Sequence, residues 1–267
     1  MNQIADPNEL FAAASMRRDL CVDFFGLPGS GKTTIACELH AILARSNPDL
    51  VFAPRLLRDE ASAARRAAAK LRLIVSEIGR NGASTTDLRR TMAIRQPHFR
   101  DSLRAAFTVA TVRSLYANLQ RRNLGAVLDQ GMLQALWSVR LRATEEETCG
   151  ALAAGILIDA VSSGRFHVAV QTPQAVCIER LEARVSKHSR MQKAGADTDY
   201  HLWWKAELLR QSIVNDLRAA YRTQRIADLI IVVDGTADPV TTAKKIAQDM
   251  LLIGPAQGLS RSTPAKG

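Results

Sequence analysis

The sequence predicts an α/β fold: a three-layer sandwich in which helices flank a five-stranded parallel sheet, with a helical insert between two of the strands. Three observations predict it. A short apolar run, Leu20 to Phe25, leads into Gly26-Leu27-Pro28-Gly29-Ser30-Gly31-Lys32-Thr33, and a helix-compatible stretch follows to Ala44, so strand, tight loop and helix stand in series. Further apolar runs of strand length alternate with helical stretches, the pattern of parallel strands joined by right-handed crossovers. Residues 59–121 read as helix throughout, with no strand among them.

The elements follow in order. Residues 1–19 are a polar, alanine-rich lead-in to a single domain over 20–252. Leu20 to Phe25 is almost continuously apolar, interrupted by Asp23, and so belongs in the centre of the sheet. The first helix runs to about Arg45 and stops near Asn47-Pro48. Leu50 to Ala53 is a short second strand ended by Pro54. In the insert, Asp59 to Arg80 is rich in helix formers and stops at Asn81-Gly82. Ser84-Thr85-Thr86-Asp87 reads as a capping box opening a helix to about Arg95. Pro97 then starts a helix to Arg121, with Phe99, Leu103, Phe107, Ala110 and Ser114 on one face.

Gly125 to Leu128 is the third strand, and Asp129-Gln130-Gly131 ends it. Thr144-Glu145-Glu146-Glu147 reads as a second capping box, opening a helix that closes at Ser163-Gly164. Phe166 to Val170 is the fourth strand, and Thr172-Pro173 starts a helix through about Val185. Residues 186–199 are polar and basic without an apolar period, which predicts a mobile lid. Tyr200 to Arg222 is amphipathic, carrying Leu202, Ala206, Leu209, Ile213 and Leu217 at helical spacing, with Trp203 and Trp204 broadening the buried face. Leu229 to Val233 is the fifth strand, Asp238-Pro239 starts the last helix, and 253–267 is expected to be a disordered tail.

Composition narrows the classes. The chain has 267 residues, 47% of them hydrophobic, enough for one large α/β domain. It contains no run of 18 apolar residues, so no membrane partner is expected, and its first residues lack the apolar stretch of a secretory signal. The cysteines Cys21, Cys37, Cys149 and Cys177 are dispersed, which predicts reduced, buried thiols in a cytoplasmic protein and no metal site built on them. The net charge is +10, and the stretch Arg55 to Arg104 holds 12 Lys and Arg against 5 Asp and Glu. That surplus suits a phosphate-rich ligand, a polyanionic partner or a solvated helical face. With only 5% aromatic residues the chain offers few stacking platforms, so nucleic acid is disfavoured as a partner; a homodimer stays open.

The loop at residues 26–33 is G-x-x-x-x-G-K-[ST] between a strand and a helix. Gly26, Gly29 and Gly31 let the backbone curl, so that N–H groups of Ser30 to Thr34 face inward as an anion nest at a helix N-terminus. Lys32 would reach the β- and γ-phosphates of ATP, and the Thr33 hydroxyl would help hold Mg²⁺. Asp129 ends an apolar strand, at the sheet edge where ligands collect. It would hold Mg²⁺ through water, or orient and deprotonate an acceptor hydroxyl. Gln130 and Gln134 follow it and can read an acceptor by hydrogen bonds. Arg180, Arg184 and Lys187 share one helix face running into the lid with Arg190, the convergent cations that phosphoryl transfer requires. Asp234, in Asp234-Gly235-Thr236-Ala237 after the last strand, stands on the same edge and would present a turn to the nucleotide. Arg55, Arg95 and Arg100 in the insert are candidate contacts to an acceptor phosphate.

This order of elements resembles the P-loop kinases of the nucleotide-kinase group and looks most like thymidylate kinase and its relatives. The likeness rests on the loop at 26–33, on Val127-Leu128-Asp129-Gln130 in the place of their Asp-Arg motif, and on Val168 to Pro173 followed by Glu179-Arg180-Leu181-Glu182-Ala183-Arg184. It implies a P-loop NTPase sandwich with strand order 2-3-1-4-5, ATP and Mg²⁺ as cofactors, and a small-molecule phosphoryl acceptor. Two departures bear on the acceptor: Gln130 stands where those enzymes carry Arg, and Phe52-Ala53-Pro54-Arg55 lacks the carboxylate that takes a hydroxyl proton in deoxynucleoside kinases. A phosphate acceptor is already ionised and needs no such base, so the sequence favours a nucleotide or other phosphorylated metabolite. A hydroxyl acceptor with Asp129 as base, and an ATPase or switch that binds a macromolecule through the basic insert, are the alternatives.

Overall fold

The computed structural model describes residues 20–53, 63–78, 82–184 and 200–253. The lead-in, Arg55, the lid with Lys187 and Arg190, and the tail beyond Ile253 lie outside these residues. In chain order the elements are β1 (Cys21–Gly26), α1 (Lys32–Leu43), β2 (Val51–Phe52), α2 (Ala63–Ile78), α3 (Gly82–Met92), α4 (Phe99–Arg121), β3 (Ala126–Leu128), α5 (Met132–Arg142), a 3-10 turn (Glu146–Cys149), α6 (Gly150–Ser162), β4 (Phe166–Gln171), α7 (Gln174–Glu182), α8 (Tyr200–Gln224), β5 (Ile230–Asp234) and α9 (Pro239–Ile253).

The sheet has five strands in the order β2-β3-β1-β4-β5, all parallel, as the sequence predicts. β1 is central: Val22 pairs with Val127 on one side and Phe166 on the other. Val22, Phe24 and Phe25 are buried, because a central parallel strand is covered on both faces. Every strand therefore points its carboxyl end at one edge, and the loops after β1, β3, β4 and β5 gather there.

Several elements differ from expectation. Helix α5 is absent from the sequence reading because Met132, Leu133, Gln134, Ala135, Leu136, Trp137 and Val139 are all buried, which leaves no polar face and no 3.6-residue period. Its indole Trp137 Nε1 donates to Ala206 O of α8 at 2.8 Å. The acidic run after it caps no helix directly. Glu145 pairs with Arg95 and Glu146 with Arg140, Thr144 Oγ1 donates to Arg95 O, and the helix starts only at Gly150. Likewise α3 begins at Gly82, and Asp87 is buried against Arg113 instead of capping a helix end. Pro97 precedes α4, which starts at Phe99 with His98 as its N-cap.

The expected face of α4 is buried at Ala110 and Ser114 but not at its start. Phe99 and Leu103 are exposed, whereas Ser102, Ala105, Ala106, Val109, Val112 and Tyr116 are buried, since small residues let the helix approach its neighbours closely. On α8, Trp203 is buried but Trp204 is 55% exposed. The four cysteines form no disulfide; Cys149 and Cys177 are buried, Cys21 is half-buried and Cys37 is exposed, so the expectation of buried thiols holds for two of them. No described helix is long and apolar enough to cross a membrane.

Candidate functional site

The loop after β1 folds back over the N-terminus of α1. Gly29 sits at φ 85°, a conformation L side chains rarely adopt, and a Cβ there would lie 2.4 Å from Cys177 O. The loop is thus pressed onto α7, and Thr172 Oγ1 donates to Ser30 O at 3.0 Å to tie it to the end of β4. Lys32 folds inward: its Nζ donates to Gly26 O at 2.8 Å and to Leu27 O at 2.7 Å. Burial of this ammonium pushes its pKa down to about 8; Cys177 and Asp129 pull it up, and Arg184 presses it further down. Burial also pushes the Cys177 thiol up to about 11.

Asp129, one residue past β3, meets the loop. Thr33 Oγ1 donates to Asp129 Oδ2 at 2.8 Å, and both groups stand on the ligand edge of the sheet. A hydroxyl and a carboxylate oxygen are hard donors suited to Mg²⁺, which takes one or two protein oxygens and fills the rest of its shell with phosphates and water. Among the described residues no group of three or more His, Cys, Asp and Glu could hold a metal by itself, so the donor set fits an ion carried in with a nucleotide. Gln134, on the first turns of α5, accepts from Gly26 N through Oε1 at 3.0 Å, which joins the loop to the Asp129 segment a second time.

Arg180 of α7 donates through Nη1 to Gly235 O at 2.8 Å, and Gly235 N donates to Gln171 O at 2.7 Å. The turn after β5 is held over the phosphate loop by these bonds. Asp234 closes that turn on itself: Oδ1 accepts from the backbone N–H and the hydroxyl of Thr236, which holds its carboxyl below the usual carboxylate range. Its charge therefore serves the turn. Arg184 is exposed at the end of α7.

Behind the Asp129–Gly131 turn lies a second polar cluster. Asp23 of β1 is buried, and Tyr116 of α4 donates its hydroxyl to Asp23 Oδ2 while accepting from Met132 N at 3.1 Å. Tyr116 therefore caps α5 from another helix. A Cβ on Gly131 would lie 2.5 Å from Asp23 Cγ, so only glycine fits between carboxylate and turn. The Arg165 guanidinium stacks 4.1 Å from the centre of the Tyr116 ring and pairs with Asp159, which also takes Arg113. Burial pushes Asp23 up to about 6 and His167 down to about 3, so His167, 3.8 Å from Asp23 Oδ2, is neutral and the contact is no ion pair.

In front of Asp129 opens a cavity of about 340 Å³ between α2, α4 and α5. Its lining includes Asp129, Gln130, Gln134, Lys70, Thr108 and Thr111. Gln130 lines the cavity. Arg95 and Arg100 are not in the lining: Arg95 is 73% exposed and pairs with Glu145 at 2.7 Å. Lys70, Thr108 and Thr111 escaped the sequence reading, because they lie on helices brought to Asp129 only by packing. The structure thus joins Gly26, Gly29, Ser30, Gly31, Lys32, Thr33, Thr34, Asp129, Gln130 and Arg180 at one edge.

The parallel sheet in this order, with a phosphate loop on its central strand and a carboxylate at the end of the next, defines a P-loop nucleotide-binding domain. The family model described as AAA domain matches residues 22–199, well over half of the chain. The chain belongs to that family. No curated protein matches it.

Proposed function

We propose that the protein is a cytoplasmic ATP-dependent phosphotransferase of thymidylate-kinase-like layout, moving the γ-phosphoryl group of ATP to a small acceptor. The observation that carries this reading is the juxtaposition of three things at one sheet edge: the loop with Lys32, the Thr33–Asp129 pair, and a cavity of about 340 Å³ bordered by Asp129. A cavity of that size suits a small molecule. The loop N–H groups and Lys32 hold the β- and γ-phosphates, and Arg180 and Arg184 add positive charge from α7. Thr33 would hold Mg²⁺ and Asp129 would reach it through water; when bound the ion would offset the negative charge of the phosphates. Asp129 faces both the nucleotide and the acceptor, so the acceptor is positioned in line with the group it receives.

The alternative, a nucleotide-dependent switch that binds a polyanion through the insert, is weakened by how the insert spends its cations. Arg95 pairs with Glu145, Arg104 with Asp101, Arg113 with Asp87 and Asp159, and Arg121 with Glu77. Arg113 and Arg121 join α4 to its neighbouring helices, Arg95 joins two connecting segments, and the Arg104 pair lies within α4. Incubation with γ-labelled ATP, Mg²⁺ and a panel of nucleosides, nucleotides and sugars separates the two. A phosphotransferase labels a small acceptor. A switch releases labelled phosphate slowly, faster with added polyanion and with strong salt dependence, and labels no acceptor.

A further inference from the structure

The hydrogen-bonding sense of the cavity wall identifies the class of acceptor. On α4, Thr108 Oγ1 donates to Arg104 O at 2.8 Å and Thr111 Oγ1 donates to Phe107 O at 2.7 Å. A hydroxyl has one proton, and each of these is spent on its own helix. What both threonines offer a ligand is therefore lone pairs. Asp129, as a carboxylate, likewise offers only acceptor oxygens to the cavity.

Gln134 has the opposite sense. Gly26 N–H can only donate, so the Gln134 oxygen must face it, as the 3.0 Å contact has it. That fixes the amide against flipping and leaves the Nε2 hydrogens as what Gln134 can offer a ligand. Lys70, half-buried on α2, is a donor too and is the one cation among the described residues of the lining. Gln130 and Ser138 can serve in either sense.

We propose that the acceptor is a neutral hydroxylated molecule, a nucleoside or polyol, whose O–H groups donate to the α4 threonines and whose oxygen accepts from Gln134. The inference rests on the phosphotransferase reading and departs from the phosphorylated acceptor favoured by the sequence. A phosphate monoester dianion has no proton for Thr108, Thr111 or Asp129, and among the described residues of the lining finds only Lys70 to balance its charge. A polyhydroxyl compound satisfies both walls at once. In the transfer, the acceptor hydroxyl oxygen forms a bond to the γ-phosphorus of ATP and the bond from that phosphorus to the β,γ-bridging oxygen breaks. The electron pair leaves with ADP, and the hydroxyl proton passes to the Asp129 carboxylate.

Matched pairs test this on the full chain with Mg²⁺: thymidine and thymidine monophosphate, adenosine and AMP, glucose and glucose 6-phosphate. Binding is read by saturation-transfer NMR with a non-hydrolysable ATP analogue present, and turnover with γ-labelled ATP. The neutral member of at least one pair is expected to bind and accept label at least tenfold better than its phosphorylated partner. Thr108→Val, an exposed site, is expected to weaken the neutral member about fivefold to tenfold, and Gln134→Glu, which keeps an oxygen for Gly26 N–H but removes the amide donors, by at least tenfold. Preference for the phosphorylated member, neutral-member binding indifferent to both substitutions, or no binding by any pair while the ATP analogue binds, would overturn it. Failure of the ATP analogue to bind would instead bring down the phosphotransferase reading itself.

Discussion

Asp23 stands on β1 and Asp129 one residue past the neighbouring β3, and in register Asp23 pairs with Leu128. Both are buried, Asp23 at 1% and Asp129 at 6% exposure. Their surroundings differ in what they leave available. Asp23 is closed in by the chain itself: Tyr116 donates to it, Gly131 lies against it, and the Tyr116 ring in turn carries Arg165. Asp129 takes the Thr33 hydroxyl and borders open volume. Lys32 is like Asp129, since it rests on backbone carbonyls of its own loop, partners that a phosphate can outbid. A buried carboxylate enclosed by side chains holds elements in place, and one beside a cavity and a phosphate loop is set for chemistry.

That contrast can be broken most sharply at Asp129. Asp129→Asn is expected to lower phosphoryl transfer at least about 10²-fold while changing ATP-analogue affinity far less, read by turnover and calorimetry on the same preparation. Equal losses in both would assign Asp129 to metal holding alone. The next largest effect concerns Lys32. Its protonated form binds phosphate and its pKa lies near 8, so ATP-analogue affinity should fall as pH rises above that value. Lys32→Arg, charged throughout, should flatten this dependence.

For the Asp23 cluster the expected losses are in stability. Tyr116→Phe removes the acceptor for Met132 N–H and the donor to Asp23, both buried, and should cost about 1–3 kcal/mol in urea denaturation. The smallest effect is a pH dependence. Burial raises the folded pKa of Asp23 from 3.8 to about 6, so its contribution is complete below 3.8 and is lost as pH rises through about 6. Between pH 5 and pH 7 the wild type should therefore lose stability relative to Asp23→Asn; parallel curves would show that Asp23 titrates normally.

Features carried by short stretches were legible in the sequence. The phosphate loop, the central β1, the strand ended by Asp129 and Arg180 on the helix after β4 each declare themselves within a few residues, whereas the strand order came from the resemblance to nucleotide kinases. What depended on packing between distant segments was not. Helix α5 has no amphipathic signature because both its sides are covered. The glutamates at 145 and 146 look like caps until Arg95 and Arg140 are seen to hold them. Asp23 looked like an interruption of a strand, and its partner Tyr116 lies 93 residues away. The cavity wall was illegible for the same reason: Thr108 and Thr111 line the cavity only when α4 docks beside α5.

The most direct test of the phosphotransferase account is the rate of label transfer from γ-labelled ATP in wild type and Lys32→Ala, measured side by side with Mg²⁺ on the acceptor panel. The account predicts labelled acceptor from the wild type and a fall of at least about 10²-fold in the variant, because the buried ammonium stabilises the charge on the transferring group. Equal transfer by the two proteins would contradict it.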